Sequence, residues 1–569
     1  MQTLRGIGAS PGAAIGPAFL FQQEDLSFKA YEVAEPQAEW KRMEIAFQMA
    51  STQLKLIYEK ALQEAGESQA AIFEAHMQMI EDPELIGLVR KSILDGHNNA
   101  EKALLDAAEH YARTLEGLAD EYFRARATDV RDVAHRCLRL LLGRPQVDVV
   151  LNKPSIIVGR DLTPSDTVRM DKSMLLGFCT AEGGATSHTA ILAKALGVPA
   201  VVGMGDIVLT LADDIPLMIN GRTGEIIVNP DETTVATFVQ NQKSEKERAA
   251  AELLEVSQPA ITKDGRRVEV VANVGSVADA KKAVTLGAEG IGLLRTEFLY
   301  LDRQTAPNED EQYAVYKTIF DIQGSRPVVI RTIDVGGDKE LAYIDLGHED
   351  NPFLGWRAIR MCLDNPDFFK TQLRAILRAA LGHDIRIMFP MIATVNEVKQ
   401  ARRFLDEARV ELEVAGNPFG EKIQVGIMVE IPAAAVMADK FVKVVDFFSI
   451  GTNDLTQYTM AAERTNKKVA HLSNALEPAV LRLIAKVIEE GHKGGVWVGM
   501  CGELAGEPKA IPILLGLGLD EFSMAPTLIP HAKAVIRASD VAGCQKIAKK
   551  VLDMQSYFEV DAYLSKLLL

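Results

Sequence analysis

Past residue 260 the chain alternates short apolar runs with amphipathic stretches. Eight runs have the length of buried strands: VEVVANV (268–274), GIGLLR (290–295), PVVIRTID (327–334), RIMFPMI (386–392), QVGIMVE (424–430), FFSIGTND (447–454), WVGMCGE (497–503) and EFSMAP (521–526). Most are separated by segments with apolar residues at helical spacing. Eight β-α alternations in roughly 300 residues predict a TIM (β/α)8 barrel over 261–569.

Upstream the texture differs. From about 35 to 143, Gly and Pro are sparse and apolar residues fall on one helical face. Phe73, Met77 and Ile80 lie at i, i+4, i+7, and Val130, Val133, Ala134, Cys137, Leu138 and Leu141 continue such a stripe for three turns. This predicts a helical bundle over 22–143. Residues 1–21 and 144–229 carry short apolar runs between turn residues, among them PAFLF, KPSIIVG, KSMLLGF and PAVVGM. IPLMIN, then Gly221-Arg222-Thr223-Gly224, then EIIVNP reads as a hairpin. A small α/β unit built from 1–21 plus 144–229 follows, with the helical block inserted in it. Residues 230–260, with QNQKSEKERAAAELLE at their centre, carry little apolar face and predict a connecting helix. The expected fold class is multidomain α/β: a small α/β domain with an inserted bundle, then the barrel.

Charge narrows the function. The 62 basic and 78 acidic residues give a net charge of −16, which argues against nucleic-acid binding. A local arginine cluster can still attract a small anion. No apolar run approaches membrane-spanning length, and the start lacks a basic region followed by an unbroken apolar one. The five cysteines, Cys137, Cys179, Cys362, Cys501 and Cys544, are scattered and show no CxxC spacing. Neither a disulfide framework nor a zinc site follows, and a reduced cytoplasm fits best.

Reactive groups collect at the carboxyl ends of the barrel runs: Asn273, Arg295, Arg331, Glu430, Asn453 with Asp454, and Cys501 with Glu503. Barrel active sites are built at those ends. Arg295, Arg331 and, from a following loop, Arg357, with Lys339, predict a cationic pocket for a small, multiply anionic substrate. Glu430 and Asp454 fit either a Mg²⁺ site facing that substrate or plain pairing with the arginines. Cys501 fits either a small buried hydrophobe or a proton donor or nucleophile at the rim.

In the α/β unit, residues 183–196 read GGATSHTAILAKAL. Thr186 and Ser187 are N-cap types, so His188 sits at the start of a helix. Free N–H groups and the positive helix end there suit a phosphate carried on the imidazole. A capping or surface histidine is the competing reading.

These segments together resemble the Enzyme I family of the bacterial phosphoenolpyruvate:sugar phosphotransferase system, over nearly the whole chain. GGATSHTAILA is similar to that family's phosphohistidine signature. FFSIGTNDLTQYT (447–459) and GMCGELAG (499–506) resemble its phosphoenolpyruvate-site signatures, and RTIDVGGDKE (331–340), NPFLGWRAIR (351–360) and LLRTEFL (293–299) match as well. The resemblance implies a phosphotransferase that moves phosphate from phosphoenolpyruvate to His188, releases pyruvate, and hands the phosphate to the carrier protein HPr. It implies that Arg295, Arg331, Arg357 and Arg464, with Lys339 and Asn453, bind the substrate. It implies Mg²⁺ on Glu430 and Asp454, Cys501 as proton donor, and Thr167 orienting the His188 ring. The α/β unit becomes a swivelling phosphohistidine domain, and the helical block an HPr-docking domain with His76, Glu81, Asp82 and Glu84 as candidate contacts. A barrel-mediated homodimer is also implied.

Two departures stand out. Glu463-Arg464-Thr465 replaces the family's usual Asp-Arg-Gly or Asp-Arg-Asn, and NALEPAV (474–480) replaces an HPAV-type turn. Arg464 is kept in the first. Alternatives are a dikinase- or synthase-like enzyme, which needs an ATP-binding domain not seen here, and a nitrogen-regulatory paralogue, which needs an added N-terminal sensor domain. A non-catalytic phosphoenolpyruvate sensor is the alternative from a different class; it would bind substrate and release no pyruvate.

Overall fold

The computed structural model describes residues 1–567 except 22–25, 66, 118–120, 145–150, 164–165, 167–169, 185–186, 302, 338–340, 345–346, 348, 465 and 467. For 60, 61, 63–65, 67–71, 121–125, 188, 195 and 245 it describes the backbone alone. The chain forms two compact units, Met1–Gln242 and Lys243–Leu569. Their boundary falls inside the helix Glu232–Leu254, where the charged connector was expected.

The first unit holds an eight-stranded sheet. Its strands are β1 (Gln2–Arg5), β2 (Ile7–Ser10), β3 (Ala13–Leu20), β4 (Ser155–Gly159), β5 (Leu175–Thr180), β6 (Ala200–Val202), β7 (Pro216–Asn220) and β8 (Glu225–Val228). They lie in the order β1-β8-β7-β3-β4-β5-β6-β2. The hairpin read from sequence is β7–β8, antiparallel with Leu217 opposite Val228. Gly224 closes it at φ 72, where an added Cβ would stand 2.2 Å from the Gly6 carbonyl oxygen.

Strands β3 and β4 are parallel neighbours, with Ala18 opposite Ile156. A parallel pair needs a long crossover. Here, among the described residues, it contains five helices: Pro36–Ala65, Glu67–Ile80, Pro83–Leu94, Ala100–Glu116 and Glu121–Leu141. Their buried interior includes Phe73, Ile80, Val130, Val133, Ala134, Cys137 and Leu138 from the stripes of the sequence pattern, with Met77 and Leu141 half-buried against it.

The second unit is a closed parallel barrel. A short β9 (Ala260–Ile261) pairs antiparallel with the start of β10 (Arg267–Val274). The ring continues with β11 (Ile291–Leu294), β12 (Val328–Arg331), β13 (Ile385–Phe389), β14 (Gln424–Val429), β15 (Phe447–Ile450), β16 (Trp497–Met500) and β17 (Glu521–Met524). Strand β10 pairs with both β11 and β17, which closes it. All eight expected strands are present. The 447–454 run differs from expectation: the strand stops at Ile450, and Asn453 and Asp454 lie in the first turn of the helix Thr452–Met460. Among the described residues no helix is long and apolar enough to cross a membrane.

The amino-terminal mouth of the barrel is plugged by side chains. Trp497 stacks on Phe447 at 4.5 Å between ring centroids, and the Arg386 guanidinium lies 4.8 Å from the Trp497 ring. Arg386 also stands 3.7 Å from the buried Glu521 carboxylate. Burial pushes the Glu521 carboxyl up to about 8, against the opposing pull of Arg386. A carboxyl raised on folding contributes stability that is complete below its unfolded value, near 4.5. That contribution is lost as pH rises through about 8. Glu521→Gln therefore removes a loss of roughly 1 kcal/mol per pH unit in that window. Thermal melts of both proteins from pH 5 to 8 check this; equal slopes would refute it.

Candidate active site

The carboxyl ends of the barrel strands converge on a cavity of about 310 Å³. Arg331 is the last residue of β12; Arg295, Glu430 and Cys501 each follow the last residue of β11, β14 and β16. All four line the cavity, with Arg357, Asn453, Asp454 and Arg464. The barrel thus brings together, from widely separated segments, the residues singled out by their places at strand ends. Arg464, retained within the departing Glu463-Arg464-Thr465 segment, reaches Asp454 at 3.6 Å.

Four buried arginine–carboxylate pairs organise the cavity wall. Asp334 Oδ1 accepts from Arg357 Nε at 2.9 Å, and Oδ2 accepts from Arg357 Nη2 at 3.0 Å. The same Oδ2 stands 3.0 Å from Arg331 Nη1. Arg331 Nη2 also donates to Glu297, and Arg357 Nη2 to Asp454 Oδ2 at 3.0 Å. Burial works against charge on both arginines. Glu297 and Asp334 outweigh it at Arg331, and Asp334 and Asp454 at Arg357, so both stay above their ordinary pKa. One shared carboxylate lets two guanidinium groups sit side by side out of water. Breaking such a buried network by removing one partner costs about 3–5 kcal/mol.

Glu430 is 1 % exposed, and its Oε1 accepts from the Met391 N–H at 2.6 Å. Met391 takes φ 54 to present that N–H. Burial, then the neighbouring Asp454 and Asp334, push the Glu430 carboxyl well above the usual carboxylate range, against the pull of Arg331 and Arg357. Asp454 Oδ1 is buried with no hydrogen-bond partner among the described residues. Two crowded carboxylates, one with an oxygen that accepts no hydrogen bond and that only the Arg464 guanidinium approaches, fit a hard divalent cation that would take its remaining ligands from substrate or water. Among the described residues no group of three or more His, Cys, Asp or Glu forms a complete metal cage.

Cys501 is buried beside them. Burial pushes its thiol up to about 11, with Ser449 and Arg331 opposing. It therefore carries its proton at neutral pH, which suits a donor better than a nucleophile. Asn273 fixes the turn, donating from Nδ2 to the Cys501 carbonyl at 3.0 Å and accepting from Ser523 Oγ at 2.7 Å. Asn453 pairs with Glu503: its Nδ2 donates to Oε1 at 3.3 Å and its Oδ1 accepts from the Glu503 N–H at 3.1 Å.

In the first unit the helix His188–Leu196 begins at the expected residue. Ser187 is its N-cap, accepting from the Ala190 N–H at 3.4 Å. Thr189 Oγ1 donates to Asp161 Oδ1 at 3.0 Å and pins the helix start to the residues just after β4. The His188 side chain, Thr167 and Lys339 lie outside the described residues.

The carrier-docking candidates divide. Glu81 and Glu84 are exposed. Asp82 caps the helix Pro83–Leu94, accepting from the N–H groups of Glu84 and Leu85, and also accepts from Tyr111 OH at 3.1 Å. His76 differs from the expected surface position: it is 1 % exposed, with Nε2 3.4 Å from Asp129 and Nδ1 4.0 Å from Asp132. It lies three residues after Phe73 and packs edge-on against that ring at 5.8 Å, on the inner face of its helix.

Sequence reading missed Asp334, Glu297 and Tyr458. Asp334 and Glu297 lie within the quoted RTIDVGGDKE and LLRTEFL segments, where an acid close to an arginine was the available signal. Tyr458 lies within the quoted FFSIGTNDLTQYT segment.

Residues 249–541 match the family model described as PEP-utilising enzyme, PEP-binding domain. Residues 151–224 match PEP-utilising enzyme, mobile domain, and residues 5–126 match PEP-utilising enzyme, N-terminal. The chain is 44% identical to the phosphoenolpyruvate-protein phosphotransferase of Listeria monocytogenes, across 99% of each protein. It is 45% identical to that of Bacillus subtilis across 100% of each. Against that of Geobacillus stearothermophilus it is 45% identical, across 99% of this chain and 98% of the relative. With this agreement over its whole length, the chain belongs to the phosphoenolpyruvate-protein phosphotransferase family.

Proposed function

We propose that the protein transfers the phosphoryl group of phosphoenolpyruvate to His188, releases pyruvate, and passes the phosphoryl group to a histidine of the carrier protein HPr. The observation that carries this reading is one cavity holding four arginines, a carboxylate pair and a protonated thiol. Phosphoenolpyruvate presents a phosphate and a carboxylate on a three-carbon skeleton, and forked guanidinium groups match both. The end-to-end match to phosphotransferases stands against a dikinase-like enzyme.

Each group then has a task. Arg295, Arg331, Arg357 and Arg464, with Asn453 and Lys339, hold the substrate and spread charge off the transferring group. Glu430 and Asp454 would hold Mg²⁺, which neutralises phosphate charge when bound. Neutral His188 Nε2 attacks phosphorus in line, and the bond from phosphorus to the enol oxygen breaks. Cys501 gives its Sγ proton to the enolate carbon, completing pyruvate. Thr167 orients the His188 ring.

The domain reading follows the same division. Residues 1–21 with 144–229 form the phosphohistidine domain, and 22–143 the HPr-docking domain, with Glu81 and Glu84 at its surface and Asp82 and His76 shaping it. Residues 230–260 are the linker about which His188 swings between donor and acceptor, and 261–569 bind phosphoenolpyruvate. A cytoplasmic homodimer joined through the barrel completes the proposal.

Single-turnover mixing with phosphoenolpyruvate and Mg²⁺ tests it, with pyruvate read by a coupled assay. The wild type should release a burst of about one pyruvate per chain, as a covalent intermediate requires. Absence of pyruvate would favour the sensor reading. Arg357→Lys, which loses the fork, should cut kcat/KM by about 10²–10³. Cys501→Ala should slow pyruvate formation by about 10²–10⁴ while substrate affinity stays within a few-fold. An unchanged rate in the cysteine variant would remove Cys501 from the mechanism.

A further inference from the structure

We propose that Tyr458 is a positioning residue of the barrel site, which rations Arg357 to a single N–H for the substrate and ties that arginine to the loop after β12. The inference rests on the reading that the cavity takes phosphoenolpyruvate.

A guanidinium has five N–H groups. At Arg357, Nε donates to Asp334 Oδ1, and Nη2 donates to both Asp334 Oδ2 and Asp454 Oδ2. Nη1 donates to Tyr458 OH at 3.2 Å. Four of five donors are thus taken, and one Nη1–H has no partner among the described residues. Arg357 lines the cavity, so that remaining donor is the one an anionic substrate can use. Without the phenol, Nη1 would offer two donors with nothing to choose between them.

Tyr458 holds its place by a second bond. Its OH donates to the Phe353 carbonyl at 2.5 Å. Asp454 and Tyr458 lie at i and i+4 on the helix Thr452–Met460, so successive turns of one face grip the two Nη atoms of one guanidinium. The segment they tether is constrained elsewhere. The Phe353 ring lies 5.9 Å from Arg357 Cζ. An added Cβ on Gly337, at φ +71, would come within 3.2 Å of that ring. Ala358, directly after Arg357, sits at φ 54, a strained conformation for a residue with a side chain. Asp334 grips the arginine from the start of the same loop, and the Tyr458 hydroxyl adds a contact from the helix Thr452–Met460 that bonds both Arg357 and the Phe353 carbonyl. Burial pushes the phenol up to about 12, so it keeps the proton it donates.

The test is Tyr458→Phe, which removes one oxygen from each end of this bridge. Steady-state pyruvate formation should show KM raised about tenfold with kcat within threefold, the signature of lost binding rather than lost chemistry. A purely structural role would lower the melting temperature without that split. Phosphoenolpyruvate binding by calorimetry, in a His188→Ala background that cannot consume it, completes a cycle with Arg357→Lys. If Tyr458 acts through Arg357, its substitution should weaken binding about tenfold beside Arg357 and less than twofold beside Lys. An equal loss in both backgrounds, or a wild-type KM in Tyr458→Phe, would overturn the proposal. A His188→Ala protein that binds no phosphoenolpyruvate would instead refute the underlying reading.

Discussion

Closure of the second sheet through β10 is the constraint on which the rest depends. Paired with β11 on one side and β17 on the other, β10 turns eight parallel strands into a ring. Every carboxyl end then faces the same rim. Arg295, Arg331, Glu430 and Cys501 need no special loops to meet; they are within one residue of the ends of their strands. The plug of Trp497, Phe447, Arg386 and Glu521 fills the opposite mouth, so the working cavity opens from one end.

Closure alone would crowd like charges. The molecule answers with shared carboxylates: Asp334 between Arg331 and Arg357, and Asp454 between Arg357 and Arg464. In a low-dielectric site these pairs fix the guanidinium groups before a substrate arrives, so little reorganisation is left for the reaction itself. The same crowding raises Glu430 and leaves a buried Asp454 oxygen without a hydrogen bond. A divalent cation held there would relieve both. Fold, charge pairing and proposed chemistry therefore rest on one another in that order.

Much of this was legible in the chain. Parallel barrel strands are buried on both faces, so they read as unbroken apolar runs, as in Val328–Arg331 and Gln424–Val429. A reactive residue closing such a run stands out, which is how Arg331, Glu430 and Cys501 were found. Their neighbours were hidden for physical reasons. The strand at 447–454 ends earlier than its apolar pattern because Gly451 begins a turn that hydrophobicity does not mark. His76 looked like surface charge because the acids facing it, Asp129 and Asp132, come some fifty residues later and meet it only when helices pack. Asp334 closed the run PVVIRTID without standing out, and only the fold brings Arg357 against it. Tyr458 lies within the quoted FFSIGTNDLTQYT segment, but a tyrosine on an amphipathic helix is usually packing, and only the fold brings Arg357 to its hydroxyl.

The central claim is that the phosphoryl group comes to rest on His188. Its most direct test is to label the protein with [³²P]phosphoenolpyruvate and Mg²⁺, digest it, and locate the label in the wild type and in His188→Ala. The account predicts acid-labile, base-stable label on the wild-type peptide containing His188 and none on the variant. Label of equal amount on both proteins would contradict it and place the nucleophile elsewhere.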